Sequence, residues 1–159
     1  MSRYDYTTNT KQITNAMLMP EVVRLIGEGH TVTLPLKGYS MRPFLEDGRD
    51  KAVLGPASEL ATGDVVLAEI STERYVMHRI IDIDNSHVTL LGDGNTKPER
   101  CRLKDIKAKA KGFYRKGRTK LDSTDGRKWS MYSTVWMALR PIRRYLLFIY
   151  RHSQTNKHQ

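Results

Sequence analysis

Ile106-Lys107-Ala108-Lys109-Ala110-Lys111 alternates without a break between apolar and cationic residues. A period of two is that of an extended strand, so the three lysines lie on one side and Ile106, Ala108 and Ala110 on the other. The lysine side is expected to face solvent or an acidic surface. Other short runs rich in β-branched residues occur at 31–36, 50–54, 65–70, 74–83 and 87–91, and the strand just quoted extends to Tyr114. Gly, Asp and Pro separate these runs, which predicts a mainly β domain of antiparallel strands. Ahead of them, Met17, Val22, Val23, Leu25 and Ile26 fall at helical spacing. Pro20 suits the first turn of that helix and Gly27 its end.

The chain has 159 residues, 39% of them hydrophobic, enough for one compact core and too few for two. A domain over 12–120 is expected, followed over 121–159 by a polar hinge and an aromatic, arginine-rich amphipathic tail. The single cysteine excludes an internal disulfide, and no Cys/His spacing forms a zinc site, so neither metal nor cofactor is expected. The first eleven residues are polar and have no signal-peptide core. The longest uncharged run, 129–139, is too short to span a bilayer, which makes the cytoplasm the expected location.

Net charge is +10, and 107–120 holds seven Lys or Arg without an acid. Such a run suits an acidic partner or a solvated face. No nucleic-acid motif accompanies it, which argues against nucleic acid. In the tail, Trp129, Tyr132, Trp136 and Leu139 share a helical stripe, Pro141 breaks it, and Arg140, Arg144 and Arg151 lie on another face. This composition suits peripheral attachment to an anionic membrane, with Trp129, Trp136 and the three arginines at its surface. The competing expectation packs the helix on its own domain.

Three segments carry candidate chemistry. In Gly38-Tyr39-Ser40-Met41-Arg42-Pro43 a serine sits between a glycine and a proline, a setting for a tight turn that exposes Oγ and leaves N–H groups free for an oxyanion. Gly38, Met41 and Pro43 shape that turn. In Tyr75-Val76-Met77-His78-Arg79-Ile80, His78 shares a strand face with Val76 and Ile80, whose apolar character favours a neutral imidazole able to accept a proton. Gly92-Asp93-Gly94-Asn95 follows a strand end. Asp93-Gly94 reads as a hairpin turn with left-handed geometry at Gly94, and Asp93 as a carboxylate able to orient His78.

In this order, the serine box resembles the catalytic region of the type I signal peptidases and of the self-cleaving SOS-response repressors. Leu45-Glu46-Asp47-Gly48, Thr62-Gly63-Asp64-Val65-Val66, Met77-His78-Arg79-Ile80 and Leu91-Gly92-Asp93-Gly94-Asn95 are similar to further boxes of these families. The likeness runs from the helix before Gly27 to the strand near Tyr114 and excludes the tail. It implies a fold of coiled antiparallel sheets and a serine peptidase of the histidine type, as in endoplasmic-reticulum and archaeal signal peptidases. Ser40 would be the nucleophile, His78 the base and Asp93 the acidic partner. It further implies an extended peptide or protein substrate with small side chains near the cleaved bond. Many signal peptidases carry a hydroxyl residue where this chain has Gly38, so the oxyanion would rest on backbone N–H groups. Two alternatives remain open: a self-cleaving regulator, against which stand only 37 residues before Gly38, and a non-catalytic module that docks on a membrane or partner. Oligomeric state is not encoded in these motifs.

Overall fold

The computed structural model describes residues 15–116 and 118–155. The polar first eleven residues lie outside this range, as do residues 12–14, 117 and 156–159 of the expected units. The elements are α1 (Asn15–Gly27), β1 (Val32–Pro35), β2 (Lys51–Gly55), β3 (Val65–Ser71), β4 (Arg74–Asp84), β5 (His87–Leu91), β6 (Glu99–Arg102), β7 (Ile106–Tyr114), β8 (Asp122–Ser123), α2 (Arg127–Ala138) and α3 (Arg143–Thr155). The fold is mainly β: one open antiparallel sheet in the order β1-β2-β7-β3-β4-β5-β6, with β8 added to β7. Bulges between Val53 and Leu54, Leu67 and Ala68, and Ile80 and Asp82 shift the register and add local bend and twist to the strands they interrupt.

Alternation in the sequence becomes two apolar clusters. Ala52, Leu54, Val65, Leu67, Ala108, Ala110 and Phe113 pack with Val22 and Ile26 of α1 and with Trp129 of α2. Val66, Ala68, Ile80, Val88, Leu90, Cys101 and Ile106 form the second cluster. Two of the three β7 lysines meet acids of the protein itself: Lys109 Nζ lies 2.8 Å from Asp64 and Lys107 Nζ 3.4 Å from Glu69. α1 is continuous, with Pro20 at its sixth residue instead of in its first turn.

In the tail the structure takes the second of the two expectations, with α2 packed on its own domain. Trp129 and Trp136 are buried, not surface residues. Trp129 stacks on Phe113 at 4.8 Å, and Trp136 meets Phe44 edge-on at 5.1 Å. Burying an indole on the sheet removes much more apolar area from water than its grazing contact with a headgroup layer would. The two tryptophans therefore hold α2 to the domain, and the segment read as a hinge contributes β8 to the sheet. Arg140, Arg144 and Arg151 remain exposed. Among the described residues no helix is long and apolar enough to cross a membrane.

Candidate active site

Ser40 lies in a turn that follows β1 and is tied down at both ends. Gly38 adopts φ +86°, a left-handed conformation that favours glycine, and its N–H donates to Asp47 Oδ1 at 2.7 Å. Leu36 N donates to Asp50 O, and Gly48 N to Leu36 O. Asp50, wholly buried, accepts from the backbone N of Glu46 and from Arg49 Nε and Nη2. Met41 plugs into the main apolar cluster, while Tyr39 is exposed and half-buried Ser40 stands between them. Arg42 stacks its guanidinium 4.0 Å from the Tyr39 ring centroid and pairs with Glu46, and the Arg42–Pro43 peptide is cis.

His78 lies on β4 between β3 and β5, 4% exposed. Pairing of Arg79 with Leu91 sets the next residue, Gly92, beside His78. An ideal Cβ on Gly92 would stand 2.5 Å from Ser40 O and 3.0 Å from His78 Nε2. The serine turn, the imidazole and the 92–95 turn thus converge on one point where only a hydrogen fits. Gly94 N donates to Ser40 O at 2.7 Å, and a Cβ on Gly94 would sit 2.7 Å from Tyr39 O. Gly94 is not in the left-handed region; close backbone approach, not turn geometry, demands glycine there. Ser40 and His78 line one cavity of about 140 Å³ with Leu36, Met41, Leu45 and Val76. Among the described residues no hydrogen bond joins the serine hydroxyl to the ring.

Asp93 does not reach the imidazole. Its buried carboxylate is held bidentately by Arg79, with Nε at 2.8 Å and Nη2 at 2.6 Å. Arg79 Nη1 donates to Gly63 O and to Ser133 Oγ of α2, and the guanidinium lies 5.3 Å from the Trp129 ring centroid. A fully desolvated carboxylate next to an equally buried guanidinium forms the stronger, two-pronged pair, so Asp93 fastens the 92–95 turn to β4 and α2.

The carboxylate at His78 belongs to Glu99, the first residue of β6. Its Oε2 lies 2.9 Å from His78 Nδ1, and its Oε1 3.1 Å from Arg74 Nη2. The Nδ1 contact is short but poorly directed, leaving neither atom with a well-formed hydrogen bond; it becomes a coulombic pair once the ring is protonated. Burial pushes the His78 pKa below its usual value, against the opposing pull of Glu99. The ring is therefore neutral near pH 7, and a proton on Nδ1 toward Glu99 leaves the Nε2 lone pair toward the serine turn.

Of the residues expected to shape an oxyanion site, Gly38 has committed its N–H to Asp47 and Pro43 has none. The N–H groups of Ser40 and Met41 have no backbone acceptor among the described residues. Arg151 reaches the site from α3, donating from Nη2 to Gly94 O at 3.1 Å, so this arginine serves an internal contact. No family model matches the chain, and no curated protein matches it in sequence.

Proposed function

We infer that the chain is a serine endopeptidase of signal-peptidase-like type, with Ser40 as nucleophile, His78 as general base and Glu99 as the carboxylate behind it. The observation that carries this reading is the convergence of the Ser40 turn and His78 Nε2 on Gly92, with an acid at the opposite ring nitrogen. In the reaction, Ser40 Oγ attacks the scissile carbonyl as its proton passes to His78 Nε2. Collapse of the tetrahedral adduct returns that proton to the leaving amine. Water then repeats the cycle to release the acyl group from Ser40. The imidazolium formed on the way is stabilised by Glu99, whose charge offsets the cost of burying a cation. With Gly38 engaged, the developing oxyanion would be met by the N–H groups of Ser40 and Met41.

The narrow cavity, apolar on the Leu36, Met41, Leu45 and Val76 side, favours a small side chain next to the cleaved bond. Mapping the new termini that appear when the protein is incubated with a peptide library tests the reading. Cleavage after small residues, lost by a factor on the order of 10⁴ or more in both Ser40→Ala and His78→Ala, is the expected result. No cleavage by folded wild-type protein would favour a non-catalytic docking module.

A further inference from the structure

The structure assigns a second site outside the peptidase cavity. We propose that Arg140, Arg143 and Arg144, at the junction of α2 and α3, bind a phosphate group of the kind that a phospholipid headgroup presents. The three arginines line a cavity of about 220 Å³, closed by Leu91, Thr96 and Pro98 from the sheet side.

Arg143 is the decisive residue. It is 2% exposed, yet among the described residues its Nε and Nη1 have no hydrogen-bond partner. Nη2 alone is engaged, donating to Trp136 O at 3.1 Å, and the guanidinium stacks 5.0 Å from the Trp136 ring centroid. A guanidinium carries five N–H donors in a fixed fork that matches a tetrahedral oxyanion. Leaving such donors dry and unpaired is costly; they lie beneath the surface of the cavity that Arg143 lines, so an anion held by Arg140 and Arg144 would draw the guanidinium outward to satisfy them. The buried carboxylate of Asp93 is already paired bidentately with Arg79, so its single negative charge is matched by that guanidinium and the Arg143 cation is left without a counter-ion of its own. From Gly126 to Gln159 the sequence has seven Lys or Arg and no Asp or Glu.

A lipid source is favoured by what surrounds the pocket. Ile142 lies in the junction itself and is exposed, as are Tyr145, Phe148 and Ile149 on the outer face of α3. At 100° per residue these α3 positions lie roughly opposite buried Arg143 and Leu147, with Arg144 between the two faces. Arg144 joins the two sides: it lines the pocket and its guanidinium lies 4.6 Å from the Tyr145 ring centroid, so an aromatic and aliphatic surface begins at the pocket's rim, as suits the boundary between headgroups and acyl chains. The surface differs from the one read off the sequence, because the tryptophans point inward.

Full-length protein is titrated with inorganic phosphate by calorimetry at constant ionic strength against chloride, and separately sedimented with vesicles of phosphatidylcholine alone or mixed with phosphatidic acid. The expected results are saturable phosphate binding, weakened at least about tenfold in the exposed pair Arg140→Gln/Arg144→Gln, and sedimentation with the phosphatidic acid vesicles that free phosphate competes away. Phosphate binding without sedimentation would assign the pocket to soluble phosphate. Arg143→Lys, which keeps the charge and loses the fork, should weaken binding at an unchanged melting temperature; if it unfolds, the exposed pair decides. Absence of saturable phosphate binding, equal binding by the exposed-pair variant, or vesicle binding indifferent to phosphate would overturn the proposal.

Discussion

Gly92→Ala puts a methyl group where the serine turn, the imidazole and the 92–95 turn meet. Its Cβ would lie 2.5 Å from Ser40 O, 2.8 Å from Asn95 Nδ2 and 3.0 Å from His78 Nε2. Carbon and oxygen settle at about 3.3 Å even in close contacts, so the turns must part by about 0.8 Å. The opening also stretches the 2.7 Å bond from Gly94 N to Ser40 O. A misplacement of about 1 Å costs on the order of 10²-fold in rate, which is about 2.7 kcal/mol of barrier, while overpacking costs about 1–3 kcal/mol of stability. The rate constant for labelling Ser40 with a fluorophosphonate reports the first loss and a thermal melt the second. Gly27→Ala, with open space around its Cβ, serves as the neutral control. Labelling within about threefold of wild type in a folded Gly92→Ala protein would refute the claim that this contact sets the distance between nucleophile and base.

Glu99→Gln and Asp93→Asn should separate two roles. The first slows labelling, by up to about 10⁴-fold if the carboxylate acts as in other triads, at little cost in melting temperature; the second leaves Arg79 buried and unpaired and costs about 3–5 kcal/mol of stability, read by urea unfolding. Since Glu99 raises the His78 pKa, Glu99→Gln also moves the acid limb of the pH–rate profile to lower pH. His78 itself titrates below 6.5 when folded, so the unfolded chain binds more protons in that window. Stability should therefore fall as pH drops from 6.5 through the folded value, a slope that His78→Gln removes in pH-dependent unfolding. Trp136→Ala loses the edge contact to Phe44 and the stacking of Arg143 and should cost about 3–5 kcal/mol, seen as a lower melting temperature.

Strands whose faces alternate or whose cores are β-branched were legible because their period is a property of the chain alone. β6 was not. Pro98-Glu99-Arg100-Cys101-Arg102 is charged and buries one residue, Cys101, as befits an edge strand, so no periodicity marks the acid nearest His78. A glutamate flanked by a proline and two arginines, seven residues after Gly92, was the only signal. Asp93 misled for the opposite reason: it follows a strand as a triad acid would, but the adjacent Arg79 is the stronger claimant, and nothing local distinguishes the two outcomes. In the tail, helical spacing gave the helices but not their orientation. The stripe of Trp129, Tyr132 and Trp136 on α2 suits a membrane surface as well as the domain itself, and packing against Phe44 and Phe113 chose the domain. Ser40, His78 and the 92–95 turn were found together because each lies in a compact segment whose order along the chain is distinctive.

The proposed chemistry rests on activation of Ser40 by His78. Exposing full-length protein to a fluorophosphonate and mapping the adduct by mass spectrometry tests it most directly. One adduct per chain, on Ser40, is expected, with the rate reduced by a factor on the order of 10³ or more in His78→Ala. An adduct elsewhere, none at all in folded protein, or labelling of His78→Ala at the wild-type rate would contradict it.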